Sequence, residues 1–305
     1  MNKIAVICPY FGTAPSFFEA TLLSMKNNEF IDWYLLTDIT GYRDEPNVKF
    51  IPYSFDRLKK LIKSKIGTTI ASPYKLCDYK PTFGDLFSSI FNGYDFWGYF
   101  DIDAIYGRLA TYINDDLLSE YDKIYDLGHF SLYRNIPEVN MAYKGNRSMP
   151  IDFKKILNKK RIYVFDESYP KPHIEINQVL SDMGYRIYRA RDYADLSILW
   201  KNFLPNDIQD SCHDYYFEYR NKSLYLKKLS DSTYIQEVAY AHFQQKKNIP
   251  LLTDQLNMFY ILPKRITSDV SISDGFYDRD SQWLWYIRFR IKRKLSKLNP
   301  SDLLR

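Results

Sequence analysis

Cysteine is scarce in this 305-residue chain: Cys8, Cys77 and Cys212 are odd in number, far apart, and without a CxxC spacing. That disfavours a disulfide scaffold and a structural zinc site, and makes a reducing cytoplasm the expected compartment. No run of about 18 uncharged apolar residues occurs, so nothing reads as a membrane span. The opening stretch has too few apolar residues before Pro9 for the core of a signal peptide. Internal repeats, low-complexity segments and a clear linker are also lacking. A basic excess is missing from most of the chain. The net charge is +5, yet residues 283–305 hold seven basic residues (Arg288, Arg290, Lys292, Arg293, Lys294, Lys297, Arg305) against Asp302 alone. A near-neutral body argues against a nucleic-acid-binding body, which needs basic residues across its face.

What is present is an ordinary globular composition, 46% hydrophobic and 26% charged, with an aromatic excess of 17%. Such an excess suits a binder of flat or ring-shaped ligands, and core packing uses it equally. Lys3–Cys8 reads as a buried strand running into the breaker cluster Pro9-Tyr10-Phe11-Gly12. Pro15 and Ser16 open a helix to Met25, and Asp32–Asp38 and Val48–Ile51 read as strands. Ser54–Lys65 has helical spacing. This alternation predicts a parallel sheet with crossover helices, which places the first loop at a carboxyl strand end, where open α/β sheets bind ligands. Further on, Tyr94–Phe100 is a very apolar strand, Ile162–Phe165 a strand ending on Asp166-Glu167, and Ile174–Met183 a helix. Residues 199–229 are rich in tyrosine and resist assignment.

The sharpest chemical signal is Asp101-Ile102-Asp103, directly after that strand. Alternate residues of an extended segment face one side, so the two carboxylates repel unless a cation joins them. A divalent oxygen-seeking ion, Mg²⁺ or Mn²⁺, would do so, with a nucleotide diphosphate completing its shell. A pair of solvated turn carboxylates is the bland alternative.

Asp101-Ile-Asp103, together with Tyr74-Lys-Leu-Cys-Asp-Tyr-Lys-Pro81, Trp97-Gly98, Ile105-Tyr-Gly107, Leu127–Asn135 and Phe165-Asp-Glu167, resembles a family of bacterial glycosyltransferases with the GT-A fold. Members are associated with capsule, lipopolysaccharide and exopolysaccharide gene clusters. More remotely the chain looks like DxD-bearing galactosyltransferases that build lipooligosaccharide. The blocks stand in the same order from about Lys3 to Leu262. The resemblance implies a GT-A-like (Rossmann-type) α/β fold, with a mixed, mainly parallel sheet flanked by helices. It implies that Asp101 and Asp103 bind the metal and the sugar-nucleotide diphosphate, and that Pro9, Tyr10, Phe11 and Gly12 line the nucleotide. It further implies that Asp38 accepts a hydrogen bond from base or ribose. His242, in a late His-Phe-Gln block, is implied as third metal ligand, with Lys246 or Lys247 meeting the pyrophosphate.

Lys75, Asp78 and Lys80 are either contacts to sugar or phosphate or members of a solvated loop. Asp166 and Glu167 either hold the acceptor and act as base, or cap a helix and form ion pairs. His129 either lines an acceptor pocket or is structural. In the tail, helical placement puts Trp283, Ile287, Ile291, Leu295 and Leu298 on one stripe, with Arg290, Lys294 and Lys297 on the opposite faces. That pattern suits an interfacial helix on anionic lipid, and a helix docked on its own body with a wet basic side is the alternative.

The sequence thus predicts a body over 1–265 and a basic aromatic tail over 266–305. The expected activity is metal-dependent transfer of a sugar from a nucleotide donor, UDP-linked for preference, to a surface-glycan or lipid-linked acceptor. The expected place is the cytoplasmic face of the cell membrane. Its rivals are a non-catalytic membrane-associated glycan-binding protein and, more remotely, a DxD phosphatase.

Overall fold

β-rich apolar runs set the strands, and their two-sided burial sets the sheet. In the computed structural model, which describes residues 2–145, 147, 150–167, 174–269 and 271–298 (side chains only to 294 in the last segment), the strands fall as follows. They are β1 (Ile4–Tyr10), β2 (Ile31–Thr37), β3 (Val48–Pro52), β4 (Phe96–Phe100), β5 (Ala104–Tyr106), β6 (Lys123–Ile124), β7 (Phe130–Arg134) and β8 (Ile187–Tyr188). Then come β9 (Ala194–Asp195), β10 (Tyr215–Arg220), β11 (Ser223–Lys228), β12 (Ile235–Val238), β13 (Tyr240–His242), β14 (Met258–Ile261) and β15 (Ile266–Thr267). The helices are α1 (Phe18–Lys26), α2 (Phe55–Lys65), α3 (Phe83–Leu86), α4 (Asp115–Glu120), α5 (Pro137–Asn140), α6 (Phe153–Leu157), α7 (Ile176–Asp182) and α8 (Arg279–Leu298).

The chain divides into two compact units. Residues 1–13, 29–101 and 113–190 form the first, and 14–28, 102–112 and 191 onward the second. The first unit holds a seven-stranded sheet in the order β3-β2-β1-β4-β7-β6-β8. β3, β2, β1 and β4 run parallel, and β7 enters antiparallel beside β4. This is the mixed, mainly parallel sheet with flanking helices that the sequence predicts. β1 has β2 on one side and β4 on the other, so the crossovers reverse direction there, and ligands sit at the carboxyl ends of such strands.

β4 is buried at every position. Its Trp97 stacks on Tyr133 with ring centroids 4.5 Å apart, and it donates to Asn140 Oδ1. Each such fully buried large side chain stabilises the fold by roughly 1.5–3 kcal/mol relative to exposure. α2 starts where Ser54 Oγ accepts the Arg57 N–H, as an N-cap serine does.

The second unit holds the antiparallel sheet β12-β11-β10-β14-β15 and the small sheet β5-β13-β9. The tyrosine-rich stretch that resisted assignment contains the β10–β11 hairpin in its second half. α8 is one continuous helix whose Trp285 Nε1 donates to the Ile198 carbonyl. Trp283, Leu284 and Ile291 remain 57%, 54% and 54% exposed. The side chains of Leu295, Lys297 and Leu298, and residues 299–305, lie outside the described residues. Among the described residues no helix is long and apolar enough to cross a membrane.

One expected strand is absent. Residues 162–165 form a loop, because Val164 takes φ of 62°, which no strand accommodates, and Asp78 captures the N–H groups of Tyr163 and Phe165.

Candidate functional site

In the first unit the expected nucleotide loop leaves β1 at Tyr10. Gly12 sits at φ of +121°, a conformation that side-chain-bearing residues rarely adopt, and its N–H donates to Asp38 Oδ1 at 3.0 Å. Asp38, just past β2, therefore ties down the loop that follows β1. Tyr10 Oη donates to the Thr13 carbonyl, and Phe11 packs on Phe55 at 5.4 Å. Pro9 is buried at the strand's end.

Lys75 and Asp78 are 1% and 0% exposed and face each other at 2.5 Å. Lys75 also donates to the carbonyls of Ile156 and Arg161. Since Asp78 holds the N–H of Phe165, this buried pair fixes the loop that carries Asp166 and Glu167. Lys80 is the hub of the same unit. Its ammonium lies 2.8 Å from Asp101 Oδ1, 2.6 Å from the Gly128 carbonyl and 3.9 Å from Asp166 Oδ2. Burial opposes its charge, but Asp101 and Asp166 outweigh burial and raise its pKa.

Asp166 is 2% exposed. Burial first, and the neighbouring Glu167 second, push its carboxyl well above the usual range, against the pull of Lys80. Glu167 is half-buried and accepts the Gly128 N–H at 3.2 Å. A Cβ on residue 128 would lie 2.3 Å from Asp166 Oδ2, so only glycine lets both carboxylates close on this turn. His129 is buried, and its carbonyl accepts the Asp101 N–H.

β4 stops at Phe100, so the acid pair lies on a turn rather than on an extended segment. Asp101 closes the first unit and Asp103 belongs to the second. There the small sheet does the positioning. β13 pairs antiparallel with β5, setting His242 opposite Ala104, and parallel with β9, setting His242 beside Asp195. The Phe243 N–H donates to the Asp103 carbonyl. Three short strands thus bring Asp103, His242 and Asp195 together. His242 Nε2 is 3.5 Å from Asp103 Oδ1, and its Nδ1 is 2.9 Å from Asp195 Oδ1, which also accepts from Gln244. Burial alone would lower the histidine pKa, but the two carboxylates raise it to about 10. Burial would likewise raise the Asp103 carboxyl, yet His242 and Lys247 hold it well below the usual range.

The two late lysines separate. Lys247 Nζ lies 3.1 Å from Asp103 Oδ2. Lys246 is half-buried, donates to the Ser197 carbonyl, and has its pKa lowered to about 8 by desolvation of its ammonium. The Lys247 backbone is fastened at the start of α1, where Ser16 donates through N–H and Oγ to its carbonyl. Asp195 and Gln244 escape sequence reading, because neither carries a motif and only strand pairing across 47 residues joins Asp195 to His242.

The donor set of this cluster is a carboxylate oxygen and an imidazole nitrogen 3.5 Å apart, with a second carboxylate on the far ring nitrogen. Ligands bound at about 2.0–2.2 Å to one divalent ion stand at a comparable separation, and a carboxylate behind the histidine is the usual support for a ligating imidazole. Asp103 and His242 fit such an ion. Each of the two acids of the pair also carries a lysine, Lys80 on Asp101 and Lys247 on Asp103.

No curated protein sequence matches the chain. Among solved structures it is similar to the crystal structure of the galactosyltransferase LgtC in complex with donor and acceptor sugar analogs. That similarity is 11% identity at a TM-score of 0.36, covering 79% of this chain and 86% of that one. A family match spans residues 6–269, most of the chain, and the protein belongs to the family of unknown function DUF6625.

Proposed function

We propose that this protein is a glycosyltransferase that moves a sugar from a nucleotide diphosphate donor, UDP-linked for preference, to a glycan acceptor. The observation that carries the reading is the approach of Asp103 to His242, backed by Asp195, immediately after the central strand β4. The loop after β1, tied by Asp38, supports it, since it lies at the carboxyl end of the strand where the sheet's crossovers reverse.

In this reading Asp103 and His242 hold a divalent ion, Mn²⁺ or Mg²⁺. Such an ion, when bound, offsets charge on the departing diphosphate without a proton donor. The chain's own residues do the rest. Asp195 keeps a proton on His242 Nδ1, so that Nε2, on giving up its own proton, would present its lone pair to the ion. Lys247, its side chain 41% exposed and ion-paired to Asp103, exchanges that partner for the diphosphate, whereas Lys246 is committed to Ser197. Lys75 and Asp78 act as framework. Of the two acids at 166 and 167, Glu167 is the base: it accepts the acceptor hydroxyl's proton as that oxygen bonds to the sugar carbon and the bond to the diphosphate breaks. Asp166, buried and with its pKa raised, holds Lys80.

The lysine on each acid favours a second reading: Lys80 and Lys247 supply the positive charge themselves, and transfer needs no metal. A thermal-shift screen of nucleotide sugars with and without Mn²⁺ tests the proposal. Stabilisation by a UDP-sugar only with metal supports the first reading, and stabilisation without metal the second. Indifference to every donor leaves a glycan-binding protein, and phosphate release without a sugar donor a phosphatase.

For α8 the proposal is an interfacial helix. Exposed Leu284 and Ile291 would enter the headgroup boundary, while exposed Arg288, Arg290 and Lys294 meet anionic lipid. That would hold the enzyme at the inner face of a bacterial membrane, where lipid-linked acceptors for surface polysaccharide are built.

A further inference from the structure

The second unit contains a cavity of about 790 Å³ that shares no lining residue with the Asp103–His242 cluster. That volume is in the range of small-molecule sites, roughly 300–1,000 Å³. Its lining is both aromatic and polar. Trp200 stacks on Tyr286 at 5.1 Å and meets His213 at 4.0 Å, and Trp283 continues the ladder from Tyr286 at 6.0 Å. Trp283 lines the cavity and is the exposed end of that ladder, at 57%.

The polar part is unusual. Gln282 is 7% exposed and lines the cavity. Its Oε1 accepts the N–H groups of Lys201 and Asn202, which locks the amide in one orientation. Its Nε2 is buried and has no hydrogen-bond partner among the described residues. Asp214, also on the wall, accepts the Ser230 N–H through Oδ2, and its buried Oδ1 has no partner among them either. Leaving a buried donor or acceptor unpaired costs about 1–3 kcal/mol, so both groups favour a ligand that pairs them.

We infer that this cavity binds a neutral pyranose unit of a glycan. A hydroxyl group donates to Asp214 and another accepts from Gln282, while a sugar's apolar face lies on an exposed indole. The charged lining is Asp214, Asp280 and Arg279, which disfavours an anionic ligand such as a lipid phosphate. An acyl chain is disfavoured too, because it would desolvate Gln282 and Asp214 without pairing them. The inference needs neither a metal nor a sugar donor, so it stands or falls apart from the transferase reading.

The test is ligand-observed NMR and tryptophan fluorescence on the full chain. Neutral hexose-containing oligosaccharides serve as probes, without nucleotide or metal, beside binding to phosphatidylglycerol vesicles. Trp283→Ala removes an exposed platform. Gln282→Glu keeps the acceptor for Lys201 and Asn202 but removes the unpaired donor. The expected result is saccharide binding in the native chain, weakened about tenfold or more by each change while the melting temperature of Trp283→Ala is unchanged. Binding of no saccharide in the panel overturns the inference. So does saccharide binding untouched by both variants, or loss of vesicle binding alone in Trp283→Ala.

Discussion

Asp195 Oδ1 lies 2.9 Å from His242 Nδ1, and strand register, not sequence proximity, puts it there. The pairing fixes the ring so that Nε2 looks toward Asp103. Asp195→Asn should therefore loosen the histidine without touching the Asp103 side chain. The expected loss is about 10- to 100-fold in Mn²⁺ affinity, read by isothermal titration. An unchanged affinity would leave Asp195 with no part in the site.

The same geometry gives a pH dependence in the metal-free chain. The folded pKa of His242 is raised from 6.5 to about 10 by Asp103 and Asp195, burial notwithstanding. Its contribution to stability is fully present below pH 6.5 and is lost as pH rises through about 10. The melting-temperature gap between the native chain and His242→Gln should be widest near pH 6 and narrow steadily toward pH 10.5. A gap independent of pH contradicts the charged imidazolium.

Lys80 and Lys247 should behave differently although each faces an acid of the pair. Lys80 is buried between Asp101 and Asp166, so Lys80→Met strands a buried carboxylate and should cost about 3–5 kcal/mol in denaturant titrations. Lys247 is half-exposed, and exposed ion pairs contribute about 0–1 kcal/mol. Lys247→Ala should leave stability within that range and raise the KM for the nucleotide sugar. Equal destabilisation by both variants would refute the division of roles.

Gly128→Ala tests the acidic turn. The added methyl would fall 2.3 Å from Asp166 Oδ2 and 2.6 Å from Glu167 Oε1. About 1–3 kcal/mol of destabilisation is expected, with transfer reduced further than stability because Glu167 is displaced. A fully active, equally stable Gly128→Ala protein would remove Glu167 from the reaction.

Much of the first unit is legible in the sequence because its strands are apolar and its crossovers regular. Val48–Pro52, Phe96–Phe100 and the helix capped by Ser54 fall close to their expected positions. The second unit is less legible for a physical reason. β10 is buried at five of its six positions, so it shows no alternation, and its neighbour β11 ends on two lysines. The site was legible where chemistry is carried by adjacent residues, as at Asp101 and Asp103. Lys75 and Asp78 look like surface charges in one dimension, and only their mutual pairing and the captured N–H groups make their burial possible. Asp195 and the cavity at Gln282 depend on tertiary pairing alone.

The most direct measurement is Mn²⁺ and UDP binding by isothermal titration to the native chain and to Asp103→Ala. The account predicts that UDP binds the native chain only when Mn²⁺ is present, and that Asp103→Ala loses this coupled binding while keeping its fold. UDP binding that survives both chelator and the loss of the Asp103 carboxylate would contradict it.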